Sequence, residues 1–297
     1  MKYLLFIIIY SILWCISVLP FSVLYFLSNI VYFLVYKVIK YRVKTVRYNL
    51  ALTFPHLSDI ERKNIEKDFY QHLCDLFLEM IKTITISKEE LDKRFVFKNV
   101  ELIKAYEQKE KSIILMLPHY GNWEWVISLG KHLDFKGFGV YKALKNKYFD
   151  KLFRDIRSRF NAELVNTHQT AGVIRENQSK KLYGVYLFLS DQTPLLRENL
   201  HWEPFMGVEV PIHMGAEVLA RKLNMNILYL KVDKVKRGHY EATFSEITDD
   251  IKNEPKYKPT RVFLDKVEAQ IKEAPAYYFW THKRWKHKDE KDHFKTK

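Results

Sequence analysis

The chain has 297 residues, enough for one large domain or two small ones with a substantial core. Its formal charge of +14 and pI near 9.4 point to an anionic partner, whether acidic lipid, acidic protein or nucleic acid. Two cysteines, Cys15 and Cys74, do not make a disulfide framework, and no stretch has the ligand spacing of a zinc site, so no metal is expected.

From Tyr3 to Tyr36 the chain is almost wholly apolar and aromatic, broken at Pro20. The stretch Tyr3 to Leu19 is close to the minimum for crossing a bilayer core of about 30 Å, which takes about 20 residues. The second half, carrying Ser22, Ser28 and Asn29, can extend the span, turn back or lie in the interface. Beyond it come Lys37, Lys40, Arg42, Lys44 and Arg47, against Lys2 alone on the other side, an imbalance that puts the body in the cytoplasm. No small-x-small cleavage site precedes Pro20, so residues 1–40 are read as a retained membrane anchor.

Tyr41 to Phe54 is basic and amphipathic and ends at Phe54-Pro55. Ser58 and Glu61 form a capping box that opens a helix with Ile65, Phe69, Leu73, Leu76, Phe77 and Met80 at helical spacing. His72 and Cys74 on it read as structural. Ser87 with Glu90 caps another short helix, and Phe95 to Phe97 reads as a strand.

The apolar run Ile113 to Leu117 predicts a buried strand; Pro118 ends it, and Gly121-Asn122 turns the chain into a helical pattern from about Glu124. His119 therefore stands at the carboxyl end of a strand, where open α/β sheets bind ligands. Glu124 is close enough in sequence for the turn to fold its carboxylate toward the imidazole, and a histidine backed by a carboxylate can activate a hydroxyl by general-base catalysis. Taken alone, such a pair is more often a turn histidine and a solvated helix carboxylate.

Beyond the motif the elements alternate: a strand at Phe138 to Tyr141, a basic helix at Tyr148 to Phe160, a strand at Glu163 to Val165, a helix at Thr170 to Glu176 and a strand at Leu182 to Leu189. A helix at Gly215 to Leu223, strands at Ile227 to Val232 and Tyr240 to Phe244, and a helix at Pro259 to Ile271 follow. This predicts an α/β fold, a mixed central sheet covered by helices, as one domain over residues 41–287. Residues 288–297 are a charged tail expected to be disordered.

Three further stretches fall where they can reach the His119 edge. Arg154, Arg157 and Arg159 follow Tyr141 to Asn146, and forked guanidinium groups suit phosphate or carboxylate, although a solvated basic face has the same pattern. Asp191-Gln192 leaves the strongest strand as a polar rim or a turn. Trp202 to Gly207 is either an acyl-channel wall or aromatic core.

His119-Tyr-Gly-Asn-Trp-Glu124 resembles the His-x-x-x-x-Asp/Glu signature of the glycerolipid acyltransferases, and with Trp123 inside it the branch that adds secondary acyl chains to lipid A. The similarity runs nearly the whole chain: the anchor, Asn49-Leu to Phe54-Pro55, the His119 motif, the arginine helix, Asp191-Gln192, Phe205-Met-Gly207 and the terminal Tyr278 to Lys286. It implies that His119 and Glu124 are the catalytic pair, Arg157 the functional arginine with Arg159 its neighbour, and Asp191 the functional aspartate. Asn122 and Gln192 are candidate substrate-binding residues by position. Pro118 stands where a Gly is more usual, and Lys142-Ala143 where the family often has Arg-Pro.

The implied activity is transfer of an acyl chain from an acyl carrier protein thioester, with no cofactor, to a hydroxyl of a lipid A precursor. The implied site of action is the cytoplasmic face of a bacterial inner membrane. The partners are then an acidic carrier protein, an anionic glycolipid and the membrane; basic residues spread without a recognised motif weigh against nucleic acid. Acylation of a lysophospholipid or amino-acid lipid is the alternative within enzymology, and a non-catalytic basic binding protein the alternative outside it.

Overall fold

The computed structural model describes residues 2–143, 146–196 and 200–291. Two apolar helices lead: α1 (Lys2–Ser17) and α2 (Phe21–Tyr32), the latter running on as a π-helical segment Phe33–Val38. Among the described residues one helical stretch of 18 residues, Phe21–Val38, is long and apolar enough to cross a membrane, whereas α1 is shorter. Then come α3 (Val43–Thr53), α4 (Asp59–Lys82), α5 (Lys88–Arg94), β1 (Phe95–Phe97), α6 (Val100–Glu107) and β2 (Ile113–Leu117). The second half runs β3 (Lys136–Tyr141), α7 (Lys147–Ser158), β4 (Ala162–Asn166), α8 (Thr170–Ser179), β5 (Gly184–Leu189), β6 (Trp202–Phe205), β7 (Val208–Pro211), α9 (Gly215–Leu223), β8 (Asn226–Lys236), β9 (His239–Thr248) and α10 (Lys258–Glu273).

Both expected caps form: Ser58 accepts from the Glu61 N–H while Glu61 accepts from the Ser58 N–H, and the Ser87 hydroxyl accepts from the Glu90 N–H. The helix expected from Glu124 is a 3₁₀ segment, Trp125–Lys131, and α6 has no counterpart in the sequence reading. Trp202 to Gly207 forms strand β6 and the turn of the antiparallel β6–β7 hairpin. Its Phe205 stacks at 5.7 Å on Trp285 and is fully buried, so that ring is core. The tail expectation falls largely on residues 292–297, outside the described residues.

Among the described residues seven strands form one mixed sheet in the order β1-β9-β8-β2-β5-β3-β4. β8, β2, β5, β3 and β4 run parallel; β9 pairs antiparallel with β8, and β1 parallel with β9. Period-two alternation sends Ile113, Leu115 and Leu117 of β2 into one core and Ile114 and Met116 into the other, so both faces are covered by helices. This is the two-sided burial that an uninterrupted apolar run requires. The chain leaves β2 toward β3 on one side, and leaves β5 to cross to β8 on the other. The loops after β2 and β5 therefore part company, and a crevice opens at their carboxyl ends.

Candidate active site

Register decides which side chains meet in that crevice. Leu117 of β2 lies opposite Leu189 of β5, and His119 and Asp191 each stand two residues beyond. His119 Nδ1 and Asp191 Oδ1 are 2.7 Å apart, with side-chain exposures of 17% and 1%. Burial alone would push the Asp191 carboxyl up, but the His119 charge and the hydrogen bonds it receives outweigh this and hold it below the usual carboxylate range. A carboxylate on Nδ1 fixes the tautomer that leaves Nε2 as the acceptor nitrogen.

The carboxylate behind the imidazole is thus Asp191's, where the sequence reading expected Glu124's. Glu124 lies across the turn, where its Oε2 accepts from Arg157 Nη2 at 2.7 Å, both side chains about one-fifth exposed. A 3₁₀ rather than α-helical continuation after Glu124 accompanies this placement.

Asn122 is fully buried. Its Nδ2 donates to Glu79 at 2.7 Å and its Oδ1 accepts from the Trp125 N–H at 3.1 Å. The amide therefore braces the turn and does not face a ligand, which corrects its expected place in the substrate site. Arg159 also turns away: its guanidinium donates to the Thr83, Ile84 and Ile86 carbonyls beyond α4, where the end of that helix leaves carbonyls unpaired. Of the three arginines, Arg157 is the one that reaches the motif, since Arg154 is taken by Asp150 and Tyr141. Gln192 sits half-buried beside Asp191, and Leu144 and Lys145 of the Tyr141 to Asn146 stretch lie outside the described residues.

Two aromatic rings wall the imidazole. Trp123 meets it edge-on at 5.3 Å and Phe279 stacks at 6.1 Å, with the two rings 5.4 Å from each other. Phe279 arrives because the chain after α10 lies antiparallel on the motif. The Gly121 N–H donates to the Tyr277 carbonyl at 3.0 Å, Tyr120 bridges Tyr278, and the Phe279 N–H donates to the His119 carbonyl at 3.1 Å. Gly121 makes this close approach at φ +59, and a Cβ there would stand 3.2 Å from the Val232 carbonyl.

The same segment clamps the Asp191 loop. His282 Nε2 accepts from the Thr193 N–H at 3.2 Å, and the Thr193 hydroxyl donates to the Arg284 carbonyl at 2.7 Å. Burial pushes the His282 imidazole down to about 4, with Asp191 opposing and Arg284 adding, so at neutral pH it is an acceptor at Nε2. Arg284, 1% exposed, donates to the Pro211 carbonyl and lies over the Phe205 ring at 5.0 Å.

Behind the turn, Glu79 takes hydrogen bonds from Tyr25, Asn122 and Tyr240, and His72 bonds the Gly121 carbonyl at 3.2 Å with Lys234 on its other nitrogen at 3.3 Å. Burial, then Lys234, pushes the His72 imidazole well down. Sequence reasoning assigned no role to Phe279 or Glu79. The signal for Glu79 was its spacing: Glu66, His72, Asp75 and Glu79 interrupt the apolar stripe of α4 on its buried face.

A sequence profile of the bacterial lipid A biosynthesis acyltransferases matches residues 1–287. The chain belongs to this family. It is 24% identical over 282 residues to a lipid A biosynthesis palmitoleoyltransferase of Escherichia coli, covering 93% of this chain and 89% of that protein. A lipid A biosynthesis lauroyltransferase of the same organism is 23% identical over 290 residues, covering 94% and 90%. A lipid A biosynthesis acyltransferase of Haemophilus influenzae is 23% identical over 238 residues, covering 78% and 72%. The resemblance read from the His119 motif is therefore shown by the whole chain, and the protein is a lipid A type acyltransferase.

Proposed function

We propose that the protein moves a fatty acyl chain from an acyl carrier protein thioester to a hydroxyl of a lipid A precursor, at the cytoplasmic face of the inner membrane. His119 acts as general base, oriented by Asp191. The observation that carries this reading is the 2.7 Å contact between His119 Nδ1 and a buried carboxylate, at the crevice end of a parallel sheet. His119 Nε2 takes the proton of the acceptor hydroxyl as its oxygen attacks the thioester carbonyl. The tetrahedral oxyanion then collapses, the C–S bond breaks, and the thiolate leaves with the proton returned by the imidazolium. General-base assistance contributes a factor on the order of 10² to 10⁴.

Oxyanion donors come from the motif turn. The N–H groups of Tyr120, Gly121 and Trp125 are spent on Pro118, Tyr277 and the Asn122 side chain, which makes the backbone N–H groups of Asn122, Trp123 and Glu124 the candidates among the described residues. Trp123 and Phe279 supply an apolar wall that keeps water from competing for the acyl group. Glu124 holds Arg157 at the crevice edge, where the guanidinium can exchange its carboxylate for a phosphate of the acceptor or carrier. The net charge of +14 suits both anionic substrates.

Mass spectrometry of lipid A tests this reading, in cells lacking the protein and in the same cells carrying wild-type or His119→Ala copies. Loss of one acyl mass, restored by the wild-type copy and not by His119→Ala, is expected. Unchanged lipid A would overturn the acceptor, and restoration by His119→Ala would overturn the mechanism.

A further inference from the structure

The apolar amino-terminal segment has the composition of a membrane span, but its contacts are those of a helical layer of the catalytic body. We propose that it does not cross the bilayer: α1 and α2 lie in the plane of the membrane surface, and the amino terminus stays on the same side as His119. This rests on the reading of the protein as membrane-bound and specifies its geometry.

Both ends of α1 touch the body. At its start Tyr3 packs 5.1 Å from Tyr148, and Phe6 packs 5.5 Å from Tyr148 and 5.1 Å from Phe149, all on α7. At its end the Ser17 carbonyl accepts from Lys82 Nζ at 2.8 Å and from the Thr85 hydroxyl at 2.5 Å, and Lys82 also caps the Leu19 carbonyl. A spanning helix has its two ends on opposite sides of about 30 Å of hydrocarbon. Here α7 and the end of α4, parts of one folded body, hold the two ends of a single 16-residue helix.

α2 is amphipathic in the inverted sense. Its inward face carries the polar groups: Tyr25 donates to Glu79 at 2.8 Å, Ser28 to Asp75 at 2.6 Å, and Tyr36, in the π-helical continuation, to Glu66 at 2.7 Å. Arg237 joins in, donating to Asp75, to the Asn29 side chain and to the Tyr25 carbonyl. From Tyr25 to Tyr36 the segment is therefore tied at three levels to carboxylates of α4. Whatever depth it takes, those groups take too, along with the cations that neutralise them. The Arg47, Lys63 and Arg237 side chains are 59%, 37% and 36% exposed, which suits headgroups and water and not hydrocarbon.

The outward faces identify the partner. Leu4, Ile8 and Ile12 of α1, Phe26 and Ile30 of α2, and Phe33 at the start of its π-helical continuation are 46–65% exposed. The exposed Lys37 and Lys40 follow directly. An apolar surface edged by cations fits the boundary between acyl chains and anionic headgroups, where in-plane helices bury their apolar face a few ångströms below the headgroups. This arrangement sets the catalytic crevice beside the leaflet that holds a lipid acceptor, so the acceptor hydroxyl need not leave the membrane surface.

The test labels the full-length protein at single cysteines, Leu4→Cys, Ile8→Cys, Ile12→Cys, Phe26→Cys and Ile30→Cys, with Cys15→Ser and Cys74→Ala removed from competition. The nitroxide-labelled variants are bound to vesicles of phosphatidylethanolamine and phosphatidylglycerol, and depth is read from relaxation by oxygen against a water-soluble nickel chelate. All positions are expected at one shallow, lipid-exposed depth. A depth changing by about 1.5 Å per residue along α1, some 12 Å between positions 4 and 12, would overturn the proposal. Protein that does not bind the vesicles would overturn the membrane reading itself, and acyl transfer is not read in this experiment. An epitope tag ahead of Met1 places no demand on the fold: in inverted inner-membrane vesicles added protease is expected to remove it together with the body, and protection of the tag alone contradicts the in-plane arrangement.

Discussion

The motif turn from Pro118 to Trp125 has a polar seam on either side, and each contains a histidine and a glutamate. On the crevice side stand His119 with Asp191 and Arg157 with Glu124; on the inner side stand His72 with Lys234, and Glu79 with Tyr25, Asn122 and Tyr240. His72 has partners on both ring nitrogens, whereas among the described residues His119 is engaged at Nδ1. A histidine engaged at both nitrogens is a strut, and one with a free lone pair facing a crevice can serve as a base. Glu79, likewise, gathers three donors in full burial, while Glu124 holds one exchangeable cation at the rim.

The sharpest way to probe the inner seam is to remove its hub. Glu79→Ala leaves two tyrosine hydroxyls and the Asn122 amide without their buried acceptor, and each such loss is worth about 1–3 kcal/mol. A stability loss of roughly 3 kcal/mol or more is expected by denaturant titration in detergent, with the transfer rate per folded molecule reduced less than by a change at Asp191. A fully stable but inactive variant would move Glu79 from the inner seam to the chemistry.

The smaller effect lies in the clamp between the seams. Folded His282 takes its proton only near about 4, against 6.5 for an ordinary imidazole. Between these values unfolding takes up a proton, so its contribution to stability is present above pH 6.5 and is lost as pH falls toward 4. His282→Gln keeps an acceptor for the Thr193 N–H without a titrating group, and its melting temperature is expected to fall less steeply over that range than the wild type's. Parallel profiles would release His282 from this role.

Much of the fold was legible because burial is written into the apolar runs. Ile113 to Leu117 and Leu182 to Leu189 announce strands covered on both faces, and Pro118 marks where the first one stops. His119 and Asp191 could be placed at strand ends for that reason. Which carboxylate backs the imidazole was not legible, because it depends on the pairing of Leu117 with Leu189, and those strands are separated by the whole of β3, β4 and two helices. Arg157 and Arg159 look alike in sequence; they part because one faces the motif and the other finds the bare carbonyls of Thr83 and Ile84. The polar contacts of the amino-terminal segment were not legible for a related reason. Tyr25, Ser28 and Tyr36 do not break an apolar run, yet their hydroxyls bind it to α4.

The central claim is that the pair performing the chemistry is His119 with Asp191, and that Glu124 serves the arginine. Purified Asp191→Asn and Glu124→Gln enzymes, assayed with an acyl carrier protein thioester and a lipid A precursor, separate the two. The account predicts that Asp191→Asn lowers kcat by a factor on the order of 10² to 10⁴ with KM little changed, because the wrong tautomer is then favoured. Glu124→Gln is predicted to act chiefly on KM, through a loosened Arg157. Near wild-type turnover by Asp191→Asn beside a collapsed kcat for Glu124→Gln would contradict it.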